Sequence, residues 1–449
     1  MTLGRGAYVG WRGGCVKAIA ALYGWVGKWP KLVGMTDDRQ TPSDPFDRAL
    51  ADWHGGRLEA ALSGLRAATT SGDAGCASLL LQMSADPSAP LGAKVAASEA
   101  LLAAPDEPSM RRHAAFVRAS GYGMAADPGA ALTQRIDQAR SGDAQAMVEI
   151  GLLSALTGDS TVRVRLEAAA EAGNVPAMAA LLRLAIEAGR VSPLARRHAA
   201  ALARSGHPLG ASLVPAASAL PDGPNAANGH DPTSLAWPEA DALLNAVMAT
   251  PQAAQTLHDQ PSVSRWSGFL PTVLCDYLAA QAAPLLKPAQ IFDAATGQTR
   301  PDPYRKSLTA ALPDGAMDLV LWAIKLRMAA LAGSTFDQGE PLAVLLYRPG
   351  EQYRPHVDYL TEDGHAASAD LARRGQRVAT SLARLNQDFA GGDTVFPRLD
   401  VRWSGPTGDA LSFANTDAAG AGDPMSLHAG EPVNSGMKLL ASLWLRERA

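Results

Sequence analysis

The stretch Tyr347-Arg348-Pro349-Gly350-Glu351-Gln352-Tyr353-Arg354-Pro355-His356-Val357-Asp358 decides how the C-terminal third of this chain is read. Along an extended strand, residues i and i+2 project from the same face, so His356 and Asp358 can reach one ion. A third donor from a distant strand would complete a set of two imidazoles and one carboxylate on one side of a metal, with three positions left open. His428, in Ser426-Leu427-His428-Ala429-Gly430, is the candidate. A lone His-X-Asp pair is common and an isolated surface histidine is its ordinary explanation, so the weight comes from the residues downstream of the pair.

Lys438 lies ten residues past His428, after the turn Val433-Asn434-Ser435-Gly436. A lysine facing into a strand-built core is costly unless an anion meets it. A cosubstrate with two carboxylates, one chelated at the metal and the other held by a fixed cation a molecule's length away, would use both features. The competing reading is a surface lysine on an edge strand, and the apolar run Leu439 to Trp444 speaks against it.

The surrounding text is strand-like from about Ala289. Leu342 to Tyr347, Val378 to Leu385, Ala410 to Phe413 and Leu439 to Leu445 read as short strands, with Gly391-Gly392 and Gly405-Pro406 supplying turns. Trp237 to Ala283 reads as helical. Upstream, from about Pro45 to Val214, helix follows helix and one phrase returns: Ser71-Gly72-Asp73, Ser141-Gly142-Asp143, Ala172-Gly173-Asn174, Ser205-Gly206-His207. Four residues past each glycine stands a small residue (Cys76, Ala146, Ala177, Gly210), and eight past stands an apolar one (Leu80, Ile150, Leu181, Val214). That is a helical stripe whose small member permits close approach of a neighbour. The last three glycines lie 31 and 33 positions apart, a solenoid-like period. His113 and His198, each beside an arginine, read as solvated faces.

These signals predict an α+β multidomain chain: an N-terminal α-helical repeat solenoid over 45–214, a Pro/Gly/Asn linker over 215–236, and a jelly roll, or double-stranded β-helix, braced by helices over 237–449. Residues 1–34 are basic and rich in tryptophan, with no acidic residue before Asp37. They read as a membrane-surface segment or a leader outside the working protein that begins at Met35; a signal peptide would want a longer apolar run than Ala18 to Val26 and a small-residue cleavage site, and no run is long enough to span a bilayer.

From Tyr347 to Arg446 the chain resembles the prolyl 4-hydroxylase branch of the Fe(II)/2-oxoglutarate-dependent dioxygenases. The phrases that carry the resemblance are Tyr347-X-X-Gly350-X-X-Tyr353-X-X-His356-X-Asp358, Arg377-Val378-Ala379-Thr380, Leu385-Asn386, Gly391 to Pro397, Gly408-Asp409-Ala410-Leu411-X-Phe413, and Leu427-His428-Ala429-Gly430-X-Pro432-Val433-X-X-Gly436-X-Lys438. The resemblance implies that His356, Asp358 and His428 are iron ligands and catalytic. It implies that Lys438 binds the distal carboxylate of 2-oxoglutarate with hydroxyls from Tyr347 and Thr380, and that Trp444 lines the site. Arg377 fits a substrate-side position or a structural salt bridge, and Tyr353 a pocket wall or a core aromatic. Fe(II), 2-oxoglutarate and O2 are the implied cofactors and cosubstrates, with ascorbate a candidate reductant. Two positions depart from the family: Arg384 stands where an aromatic is usual, and Leu439 where a tryptophan is frequent. The helical part resembles short tetratricopeptide-like repeats.

The implied function is hydroxylation of a prolyl residue in a protein or peptide recruited through the repeats; a free amino acid or small metabolite is the alternative substrate. A repeat scaffold whose oxygenase domain senses iron or oxygen is a further reading. Net charge of −4 carries no nucleic-acid footprint. Cys15, Cys76 and Cys275 are too few and too scattered for a disulfide framework, which points to a reducing compartment, with the cytoplasm the default.

Overall fold

Each repeated glycine closes a helix. Gly72, Gly142, Gly173 and Gly206 follow the helices Leu58–Thr70, Pro128–Arg140, Val162–Glu171 and Pro193–Ser205. Their φ angles of 96°, 92°, 88° and 73° lie in the left-handed region that a Cβ disfavours. In three of the four, the next residue caps the following helix. The side chains of Asp73, Asp143 and Asn174 accept from the backbone N–H of Cys76, Ala146 and Ala177. Such a cap stabilises a helix by about 1 kcal/mol. Cys76, Ala146 and Ala177 are themselves fully buried, as a close-approach position requires. In the fourth instance His207 Nδ1 accepts from Leu209 N–H, and the helix Gly210–Ser218 carries Pro215 in its interior.

The structure, a computed structural model, describes residues 44–86, 89–159, 161–223, 232–249, 254–293, 298–301, 305–361 and 371–449. The expected basic segment over 1–34 lies outside them. Among the described residues no helix is long and apolar enough to cross a membrane. The chain forms two compact units. One holds the residues up to Gln138 with Pro313–Leu319; the other holds Ala139–Leu312 and Val320–Ala449.

In the first unit His113 corrects the sequence expectation of a solvated face. It is fully buried on the helix Pro108–Ser120, with Nε2 2.9 Å from Ser78 Oγ and 3.3 Å from the Gly315 carbonyl. Burial first, and Arg112 second, push its pKa well below the usual value, so the ring is neutral. Its spacing from Met110 and Phe116, three residues either way, puts it on the apolar stripe, which outweighs the cue from the adjacent arginine. In the second unit His198 is likewise half-buried rather than solvated.

The second unit is built on two sheets. The larger has eight strands in the order β1 (Gln255–His258), β2 (Val263–Trp266), β13 (Ala410–Ala414), β9 (Arg377–Arg384), β16 (Lys438–Arg446), β7 (Ala343–Tyr347), β6 (Leu308–Ala311) and β3 (Lys287–Pro288). The smaller runs β12 (Val401–Trp403), β11 (Thr394–Phe396), β14 (His428–Gly430) and β8 (Tyr353–His356). Two short ribbons, β10 (Phe389–Gly391) with β15 (Val433–Gly436) and β4 (Gln290–Asp293) with β5 (Gln298–Pro301), complete it. Phe396, Val401 and Trp403 of the small sheet pack with Val263, Leu382, Leu411, Phe413 and Leu440 of the large one, so the sheets are stacked face to face.

The helical reading of Trp237 to Ala283 holds only at its ends, in the helices Ala240–Met248 and Thr272–Ala282. Between them β1 and β2 form a hairpin, and β2 pairs with β13 from Val263↔Phe413 to Trp266↔Ala410. Pairing with a partner almost 150 residues away supplies the strand identity that the local pattern left ambiguous. A helix, Leu319–Ala330, also interrupts the strand-rich half, ahead of β7.

Candidate metal centre

The metal-binding geometry begins with a register. In the small sheet β14 runs antiparallel to β8, and His428 stands directly opposite His356. Their rings lie 4.2 Å apart between centroids. Strand β8 ends at His356, so Asp358 joins from the irregular segment just beyond it and not, as the i, i+2 spacing suggests, from the strand itself. The Nε2 atoms of His356 and His428 each lie 3.6 Å from one oxygen of Asp358, Oδ1 and Oδ2 respectively. Ligand atoms from all three residues fall within 4.8 Å of one another, and no other such cluster occurs among the described residues.

The donor chemistry fits a divalent cation. His356 Nδ1 is 2.8 Å from the Arg354 carbonyl and His428 Nδ1 is 3.0 Å from the Ser426 carbonyl. A carbonyl can only accept, so each Nδ1 carries the hydrogen and each Nε2 presents its lone pair to the cluster. Burial, then the neighbouring His428, drives the His356 pKa down to about 4, which keeps that imidazole neutral and available to a metal. Burial opposes ionisation of Asp358, but His428, His356 and the hydrogen bond from Thr380 outweigh it and hold the carboxyl below its usual range. One carboxylate and two imidazoles, largely buried, match the facial arrangement that non-haem Fe(II) uses.

The apolar walls come from both sheets. Phe413 on β13 meets the His428 ring edge-on at 4.6 Å, and Phe396 on β11 lies 5.5 Å from it. Tyr353 stacks on His356 with centroids 3.4 Å apart, and Arg305 lies over the Tyr353 ring. Tyr353 thus packs directly on the His356 ring.

Lys438 is buried on β16, opposite Tyr347 of β7. Its ammonium donates to the Gly392 carbonyl at 2.7 Å and sits 5.4 Å from the centre of the Tyr347 ring. The surface-lysine alternative therefore fails. Burial, then Arg384, lowers its pKa to about 7, with Asp393 pulling the other way. Gly392 makes the approach feasible: a Cβ there would stand 3.2 Å from Lys438 Cδ. Burial pushes the Tyr347 phenol up in pKa, so it remains a hydrogen-bond donor.

Two expected roles, those of Thr380 and Trp444, change on placement, and Arg377 takes one of its two readings. Thr380 does not share a pocket with Lys438. Its partner on β16 is Trp444, six residues along the strand from Lys438, or about 20 Å at about 3.3 Å per residue. Thr380 donates to Asp358 Oδ2 at 2.7 Å and accepts from Asn415 Nδ2 at 2.9 Å. Arg377 forms the structural bridge, with Nε and Nη2 on the two oxygens of Glu340 at 2.7 and 2.9 Å, and its guanidinium stacks 4.5 Å from the Trp444 ring. Trp444 shares the inward face with Thr380 but serves as the platform for that arginine. Nothing in the local pattern flags Asn415 or Glu340, because both reach the site through tertiary packing. Phe396 and Phe413 lie within quoted motifs, where alternation with buried neighbours could have marked them as inward-facing.

Stacked sheets around a two-histidine, one-carboxylate centre define the class of mononuclear non-haem metal oxygenases. The sequence model of the 2OG-Fe(II) oxygenase superfamily matches residues 342–446. Prolyl 4-hydroxylase 1 of Arabidopsis thaliana is 34% identical over 211 residues, covering 42% of this chain and 73% of that protein. The putative prolyl 4-hydroxylase of Acanthamoeba polyphaga mimivirus is 43% identical over 116 residues, covering 25% of this chain and 47% of that one. Prolyl 4-hydroxylase subunit alpha-1 of Rattus norvegicus is 34% identical over 190 residues, covering 42% and 35%. Less than half of the mimivirus and rat proteins is thus spanned. Among solved structures, the viral collagen prolyl hydroxylase of Paramecium Bursaria Chlorella virus-1 in its 2OG complex aligns at 26% identity and TM-score 0.32, covering 41% of this chain and 95% of that one. The chain belongs to the 2OG-Fe(II) oxygenases, in their prolyl 4-hydroxylase branch, a family that uses Fe(II), 2-oxoglutarate and O2.

Proposed function

We propose that this chain hydroxylates a prolyl residue in a protein or peptide, with Fe(II) held by His356, Asp358 and His428 and 2-oxoglutarate anchored through Lys438. The convergence of two Nε2 atoms and one carboxylate on largely buried side chains carries the reading. When bound, the Fe(II) couples oxidative decarboxylation of the 2-oxo acid to hydroxylation of a C–H bond.

The protein's own residues supply geometry and exclusion of water. The Arg354 and Ser426 carbonyls fix both ring orientations, and Thr380 fixes the carboxylate. Phe396 and Phe413 keep solvent from His428. Lys438 meets the distal carboxylate and Tyr347 offers its hydroxyl nearby.

The same proposal takes residues 237–449 as a jelly-roll oxygenase domain and 45–214 as a repeat solenoid that recruits the substrate; the linker expected over 215–236 begins later, because the helix Gly210–Ser218 runs past Pro215. The glycine-punctuated helix pairs support the solenoid, not its recruiting role. Buried, unpaired Cys76 and Cys275 favour a reducing compartment. Mass spectrometry for a +16 product on proline-containing peptides against free amino acids tests the substrate. Oxidation of free proline alone would overturn the peptide reading. Loss of 2-oxoglutarate turnover in His356→Ala, Asp358→Ala and His428→Ala tests the centre, and full activity in any one of them would sink it.

A further inference from the structure

On the large sheet Arg384 is a strongly basic side chain enclosed with its recognition edge unused. It lies on β9, 3% exposed, paired with Leu440 of β16. Lys438 is two residues from Leu440 on the same inward face, so the two cations are diagonal neighbours, which long side chains bridge. The Arg384 guanidinium is stacked 4.8 Å from the Phe389 ring and 5.4 Å from the Trp403 ring. Phe389 also borders Gly392, whose carbonyl receives the Lys438 ammonium. Both cations therefore lie beside Phe389 on the same inward face.

Arg384 Nε and Nη2 are buried and have no hydrogen-bond partner. These two nitrogens form the side-on edge with which a guanidinium grips a carboxylate in two parallel bonds. The acidic groups nearest in charge are committed elsewhere: Asp409 Oδ1 accepts from Gly268 N–H at 2.8 Å, and Asp393 Oδ2 from Arg402 at 2.9 Å. A buried guanidinium with an empty two-point edge, beside a second buried cation, is costly unless an anion enters between them. Burial holds the Arg384 pKa below its ordinary value, and Asp393 and Asp409 only partly offset it.

We propose that Arg384 is a second anchor for the cosubstrate: the distal carboxylate of the 2-oxo dicarboxylic acid is gripped by the Nε–Nη2 edge of Arg384 as well as by the Lys438 ammonium. This rests on the cosubstrate reading under Proposed function and makes Arg384 the residue that sets selectivity for a 2-oxo acid with a second carboxylate.

The test is calorimetric titration of the full chain, loaded with Mn(II) in place of Fe(II), with 2-oxoglutarate and with 2-oxobutanoate, which lacks the distal carboxylate. Arg384→Met should weaken 2-oxoglutarate by about tenfold or more, the loss of at least one charge-assisted hydrogen bond, and leave 2-oxobutanoate unchanged. Arg384→Lys keeps the charge without the two-point edge and should fall between the two. It also carries the test if the Met variant does not fold. Wild-type affinity for 2-oxoglutarate in either variant would overturn the proposal, as would equal weakening of both acids, which marks a purely structural cation between two rings. If the wild-type chain bound no 2-oxoglutarate at all, the cosubstrate reading itself would fall. If Lys438→Ala lost binding and Arg384→Met did not, only the second anchor would.

Discussion

Thr380 places its hydroxyl hydrogen on Asp358 Oδ2, 2.7 Å away, and receives a hydrogen bond from Asn415 in return. A residue of the large sheet thus aims the one carboxylate of a centre whose two histidines belong to the small sheet. Thr380→Val removes the donor while keeping the shape, so metal affinity should fall by about 10- to 100-fold, the usual effect of losing an outer hydrogen bond to a ligand. Thr380→Ser should restore most of it. Metal titration with Mn(II) checks this, and undiminished affinity in the valine variant would show that Asp358 needs no aiming.

Lys438 should control cosubstrate and not metal. Its removal leaves the distal carboxylate buried and short of a cation, a loss of about 2 to 5 kcal/mol by comparison with other truncated buried pairs. Affinity for 2-oxoglutarate in Lys438→Ala should drop by about 30-fold or more, since about 1.4 kcal/mol is tenfold. Lys438→Arg should recover only part, because the guanidinium is larger and planar. Competitive displacement by 2-oxoglutarate measures both, with metal content followed in parallel.

The lowered Lys438 pKa, about 7, gives a pH signature. Bound carboxylate favours the ammonium, so above pH 7 binding of 2-oxoglutarate must take up a proton, and affinity should decline as pH rises. Calorimetry in buffers of different ionisation heat reads that proton directly. The stability sign is opposite. The unfolded lysine titrates near about 10.4. Between about pH 7 and that value the unfolded chain binds more protons than the folded one, so this group makes the empty protein more stable as pH rises through the window. Lys438→Met should flatten both dependences.

Arg183, on the helix Val175–Glu187, grips both oxygens of Asp276 on the helix Thr272–Ala282 at 2.6 and 3.1 Å. Asp276 is nearly buried, so Arg183→Ala strands its charge. The cost of about 3 to 5 kcal/mol for a fully buried pair should shrink to about 2 to 3, because the Arg183 side chain is 24% exposed. Urea denaturation should show this loss, and a double Arg183→Ala, Asp276→Ala variant should regain part of it. A chain begun near Asp231 would lack Arg183 and should be destabilised in the same way.

What the sequence determined by itself was local and periodic. The i, i+2 spacing of His356 and Asp358, the small-residue positions after each repeated glycine and the apolar run around Lys438 are each written within a dozen residues, and they made one candidate donor pair, the helix starts and the buried lysine legible; His428, 70 residues beyond Asp358, was set by no such spacing. Tertiary structure alone decided what depends on partners far along the chain. The hairpin of β1 and β2 exists because β2 found β13. His113 is buried because its helix turned that stripe inward. Thr380 serves Asp358 because the β9–β16 register sets it opposite Trp444, far from Lys438. Arg377 went to Glu340, and the Arg384 edge was left open, for the same reason: a side chain's partner is set by which strands pair and in what register, and no local pattern encodes that.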